Sequence, residues 1–178
     1  MVIEKGRVPF RAALLIVDVQ RWIFERQDPV YNEEGLIRNI NALEAYAHRK
    51  NIPVVYIQHE SSGKMKKHSQ GWRLHEKLNP EASDVYIGKK KGNAFSGTSL
   101  HALLREKDVR QVLICGLLSQ QCILKTGLGA LELGFETVLI TDAHGNSGMY
   151  PEKNINTTNK ALERAGAILM STMDVVSS

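Results

Sequence analysis

Residues 12–18 read AALLIVD, six apolar side chains in a row closed by an acid. A run that short cannot span a membrane, and no small-residue cleavage site follows it, so it is neither an anchor nor a targeting segment. It fits a strand buried on both faces. Runs of the same kind recur at 54–59 (VVYIQH), 84–88 (DVYIG), 111–116 (QVLICG), 136–142 (ETVLITD) and 167–171 (AILMS). Between them lie longer amphipathic stretches that predict helices over 35–49, 98–107, 119–133 and 151–164. Gly134 and Gly166 follow two of these, where a left-handed cap residue costs least. Short Val- and Ile-rich runs alternating with helices are the signature of βαβ units, and they predict a parallel sheet of six strands covered on both faces. The irregular stretch 60–83 is the longest, and a loop of that length in a compact domain usually has a functional or mobile role.

A chain of 178 residues fits one domain, 1–178, and its 43% apolar and 24% charged residues exclude a disordered or low-complexity protein. The net charge of +4 comes from dispersed lysines and arginines, with clusters at Lys64, Lys66, Lys67 and at Lys89 to Lys91. With only 6% aromatic residues and no recognisable module, no nucleic-acid partner is expected. Cys115 and Cys122 lack the spacing of a disulfide framework or a zinc site, so reduced thiols and a cytoplasmic location are expected.

In an open parallel sheet, ligands bind beyond the carboxyl ends of the strands. Those ends carry Asp18, His59, Lys89, Cys122 and Asp142. Cys122 lies three residues after Ser119, a good helix N-cap, so amides and the helix dipole at its first turn would lower the thiol pKa and bind an oxyanion. Taken alone, Cys122 reads first as a small buried hydrophobe, as most free cysteines are, and Cys115, inside VLICG, is read as one. Asp18 emerges at the edge of the core, where desolvation would favour a general base, although a capping role fits as well. Lys89 could hold a carboxylate charged or steady a thiolate, whereas Lys90 and Lys91 read as solvated. A lone His59 reads as structural, as does Asp142.

Together, ALLIVDVQ, KKKGNAFSGTSL, GLLSQQCILKTGLGALELG and VLITDA, in this order and spacing, resemble the isochorismatase-like cysteine hydrolases. The resemblance implies a three-layer α/β/α Rossmann-like fold, its six-stranded, mainly parallel sheet ordered 3-2-1-4-5-6. It implies a catalytic triad of Asp18, Lys89 and Cys122, with Lys89 six residues before Phe95; a one-residue slip would pass the role to Lys90. It also implies a non-proline cis peptide between Leu117 and Leu118, an oxyanion hole from the N–H groups of Leu118 and Cys122, and a pocket lined by Gln20, Phe24, His59 and Phe95. The metal motif of nicotinamidases is replaced by Gln58-His59-Glu60, so no metal and no other cofactor is expected. A retained cysteine points to hydrolysis of a small amide, ureide or carbamoyl compound through a thioester. The alternatives are a vinyl-ether hydrolase and a catalytically idle binding module. The substrate is a small molecule, read by loop 60–83 and residues such as His144 and Asn146. The protein is expected to form a homo-oligomer, dimer or tetramer, without a membrane partner.

Overall fold

The structure is a computed structural model that describes residues 11–177. The six apolar runs form strands β1 (Ala12–Val17), β2 (Val54–His59), β3 (Val85–Lys89), β4 (Gln111–Leu117), β5 (Glu136–Gly145) and β6 (Ile168–Met170). They pair in parallel in the order β3-β2-β1-β4-β5-β6. β1 is central and buried along its whole length. Its side chains alternate between two cores, as the two-residue period of a strand requires. Leu14 and Ile16 join the core beneath the helices α2 (Glu33–Arg49) and α6 (Thr172–Val176), which insert Leu36, Ile40, Leu43 and Val175. Ala13, Leu15 and Val17 join the opposite core, filled by Leu100 and Leu104 of α3 (Leu100–Glu106), Ala130 of α4 (Leu124–Glu132) and Leu162 of α5 (Pro151–Arg164). Each of the leucine, isoleucine and valine side chains among these contributes about 1.5–3 kcal/mol relative to exposure.

All six strands and four helices lie where the patterning places them. Gly134 and Gly166 take positive φ after α4 and α5. Two short helices were not foreseen, α1 (Arg21–Phe24) and α6. Four or five residues carry too little periodicity to register. α1 is fixed from outside, the N–H groups of Arg21 and Trp22 donating to Arg73 O and Gly71 O. The expected helix start at Ser119 is instead a wide π-type turn, Ser119–Ile123, that leads into α4.

Residues 60–83 hold only one 3-10 turn, Gly63–Met65, yet they are tied down. The side chains of Gln20 and Gln58 both donate to Trp72 O, and Asn41 of α2 donates to Lys77 O. Buried Glu44 of α2 accepts the Tyr56 hydroxyl at 2.6 Å and the Asn79 N–H at 3.2 Å. Among the described residues no helix is long and apolar enough to cross a membrane.

Strand order reverses between β1 and β4, so the loops that leave their carboxyl ends run apart and open a crevice. Gly116 makes this close pairing possible. Its φ is +113°, and a Cβ there would lie 2.1 Å from Val17 O. The β4–β5 register shifts between Ile114 and Gly116, and the Leu117–Leu118 peptide bond that follows is cis.

Candidate active site

Four of the predicted residues, Asp18, His59, Lys89 and Cys122, meet at this crevice. Asp18, first after β1, has φ +53°, a left-handed conformation that aspartate tolerates better than most residues. Its N–H donates to Ile57 O at 2.8 Å, which fixes the turn. The side chain is 2% exposed, with Oδ2 accepting from Lys89 Nζ at 2.7 Å. Oδ1 is buried without a partner among the described residues.

Lys89 closes β3, and strand alternation turns it inward on the side of Ile87 while Lys90 and Lys91 are exposed. At 1% exposure, an unpaired ammonium would be very costly. Its three hydrogens have three neighbours: Asp18 Oδ2, Cys122 Sγ at 3.2 Å and His59 Nδ1 at 3.4 Å. Burial, and then the Lys89 charge, hold the His59 imidazole below its ordinary pKa. A neutral ring can accept at Nδ1.

Cys122 is half-buried in the π-type turn. Its thiol pKa is pushed up to about 11, first by burial and then by the Asp18 carboxylate, with Lys89 pulling the other way. This corrects the expectation of a lowered pKa. Ser119, moreover, does not cap the turn. Its hydroxyl lies 2.8 Å from Gly145 O and 2.9 Å from His144 Nδ1 instead. His144 Nε2 is in turn 2.7 Å from Asn159 Oδ1. His144 is thus part of a buried strut, not a surface for substrate. Asn146 is buried too, its Oδ1 accepting the Ser147 N–H and its carbonyl the Tyr31 N–H.

The predicted pocket residues divide. His59 lies at the cluster. Gln20 is fully buried, its amide hydrogens directed to His59 O and Trp72 O and its Oε1 accepting the His59 N–H at 2.8 Å, so it ties the backbones of His59 and Trp72 together. Phe95 is a core residue stacked on Phe135, with ring centroids 5.7 Å apart. Phe24 meets His75 edge-on at 4.4 Å and lines a separate cavity of about 210 Å³ with Arg21 and Glu33. Leu118, half-exposed, leads into the turn that carries Cys122. Cys115 is buried, with its thiol 3.6 Å from Leu15 O, and Asp142 Oδ1 accepts from Thr172 N and Oγ1 at 2.8 Å. Both are structural, as read. Trp72 and Asn159 gave no sequence signal, and the contacts of Gln58, Ser119 and His144 were not foreseen, because each acts through a partner remote along the chain.

The ligating atoms of Asp18, His59 and Cys122 all lie within 4.8 Å of one another. An acid, a thiol and an imidazole around one ammonium can move a proton from sulfur to carboxylate while the ammonium balances the charge.

The isochorismatase domain model matches residues 12–174. Streptothricin hydrolase of Streptomyces noursei is 32% identical over 148 residues, 82% of this chain and 54% of that protein, so the chain spans about half the length of that relative. The Bacillus subtilis isochorismatase family protein YrdC is 32% identical over 145 residues, 78% of this chain and 76% of that protein. In fold, the chain resembles the crystal structure of a cysteine hydrolase from Pseudomonas syringae pv. phaseolicola, with a TM-score of 0.87 at 20% identity over 97% of this chain and 93% of that one.

Proposed function

Because the chain belongs to the isochorismatase family, we propose that it is a cysteine hydrolase that cleaves the C–N bond of a small amide, ureide or carbamoyl compound. The observation that carries this reading is the Lys89 ammonium, 2.7 Å from Asp18 Oδ2 and 3.2 Å from Cys122 Sγ. One buried cation thereby holds a base and a nucleophile together.

With a pKa of about 11, Cys122 rests as the thiol at neutral pH, so its proton must leave as the sulfur attacks. Asp18 accepts it, and its partnerless Oδ1 provides the lone pair. The Sγ–C bond forms and the carbonyl π pair moves to oxygen, where the N–H groups of Leu118 and Cys122 stabilise the oxyanion. Asp18 returns the proton to the leaving nitrogen as the C–N bond breaks, giving a thioester and an amine or ammonia. Water, deprotonated by Asp18, attacks the thioester and regenerates the thiol. Lys89 compensates the charge that passes between oxygen and sulfur.

Screening small amides, ureides and carbamoyl compounds for amine or ammonia release tests this reading. A turned-over compound should lose at least about 10³-fold in rate with Cys122→Ala or Asp18→Asn, as expected when a nucleophile or its base is removed. Retained activity in either variant overturns it.

The alternative reading is vinyl-ether hydrolysis, which would depend on the Asp18 carboxyl group and form no bond to sulfur. That reaction would survive Cys122→Ala and fail in Asp18→Asn. We assign the protein a homo-oligomeric state, dimer or tetramer; light scattering from the purified chain that gives a monomer's mass overturns this.

A further inference from the structure

The Lys89 ammonium sits among three atoms that are also metal-ligand types. Its three neighbours are a carboxylate oxygen at 2.7 Å, a sulfur at 3.2 Å and an imidazole nitrogen at 3.4 Å. That mixed donor set is the one zinc and cadmium select. The ligating atoms lie within 4.8 Å of one another. Tetrahedral zinc, with bonds of about 2.0–2.3 Å, holds its ligands about 3.3–3.8 Å apart, so an inward adjustment of about 1 Å would complete the site. Asp18 Oδ1 is already buried there with no partner. His59 and Cys122 are half-exposed whereas Asp18 and Lys89 are closed off, so an ion enters from the side of the imidazole and the thiol.

We infer that Asp18, His59 and Cys122 form a binding site for a thiophilic divalent cation, Zn²⁺ or Cd²⁺, which displaces the Lys89 ammonium from its three partners. As the metal–sulfur bond forms, the Cys122 thiol releases its proton to solvent. The Asp18 carboxylate and the Cys122 thiolate together carry two negative charges, which balance the dication at its own ligands and lower the cost of placing it there. The inference stands on this geometry and needs no particular substrate.

Cd²⁺ added to the intact chain in a non-coordinating buffer tests it through the ultraviolet thiolate-to-metal charge-transfer band. One ion per chain is expected to saturate the band, which should be unchanged in Cys115→Ala and absent in Cys122→Ser. Loss of a ligand in His59→Ala should weaken binding by roughly tenfold or more, and loss of the competing cation in Lys89→Met should tighten it by a similar factor. Lys89→Met strands the Asp18 carboxylate, so circular dichroism checks its fold; if it does not fold, the Cys122→Ser and His59→Ala pair decides. No band at millimolar Cd²⁺, a band that persists in Cys122→Ser, or unchanged affinity in His59→Ala overturns the inference. The readout is optical, so failure here and failure of the hydrolysis screen are separate results.

Discussion

At the scale of single residues, the chemistry turns on opposite pulls on one sulfur. Asp18 raises the Cys122 thiol pKa and Lys89 lowers it, against a larger upward push from burial. Removing the carboxylate charge in Asp18→Asn should therefore let the thiol ionise more readily. Alkylation by iodoacetamide at pH 8, followed by mass spectrometry, should become several-fold faster in that variant even as turnover is lost. Slower alkylation would mean that Asp18 does not raise the thiol pKa. In the unsubstituted protein, the alkylation rate should still be climbing at pH 10, because the thiolate becomes the major form only near pH 11. The positions of Asp18 and Lys89 were legible because each directly ends or closes an apolar run. The state of the thiol was not, because it depends on a carboxylate carried in by β1 and on how far the turn is buried. The contacts of Gln20 and Phe95 were hidden for a related reason: a residue type suited to lining a pocket is just as well used to hold the wall behind it.

At the scale of elements, the crevice depends on the end of β4. Gly116→Ala would press a methyl group into the Val17 backbone at a φ that L residues rarely adopt. A loss of at least about 3 kcal/mol is expected in urea unfolding, combining backbone strain with overpacking. Ser119→Ala removes the hydroxyl that meets Gly145 O and His144 Nδ1 and leaves both buried. It should cost about 1–3 kcal/mol. If the strut also places the Cys122 turn, the variant should lose kcat while its KM stays near the parent value. The strands could be read from sequence because burial on both faces leaves a continuous apolar run that few other elements produce. The π-type turn could not, since it depends on Ser119 bonding across to β5 instead of to its own helix. The course of residues 60–83 was equally hidden, being set by the side chains of Gln20, Gln58, Asn41 and Glu44 on other elements.

At the scale of the whole molecule, the buried strut makes folding sensitive to acid. Burial lowers the His144 pKa to about 4 from an ordinary 6.5. The unfolded chain therefore takes up a proton below pH 6.5 that the folded chain refuses until about pH 4. Stability from this residue is complete above pH 6.5 and declines as the pH falls to about 4, by on the order of 3 kcal/mol. Glu44, pushed upward chiefly by burial, acts in the opposite direction near the carboxylate range, so the difference between variants isolates the histidine. Urea midpoints at pH 7 and pH 4.5 should differ less in His144→Gln than in the unsubstituted protein, and an equal difference would rule His144 out as the cause. The central place of β1 has a consequence for how the chain is made. Among the described residues β1 precedes all the other strands in sequence, yet one of its two neighbours is β4, which begins at residue 111. While the ribosome adds the residues between β3 and the end of β4, on the order of seconds at ordinary elongation rates, the stretch ALLIV has an open edge and an uncovered apolar face. A nascent chain halted before β4 already holds both Asp18 and Lys89, but it should aggregate when released, and the full chain will depend on ribosomal or chaperone shelter during that interval.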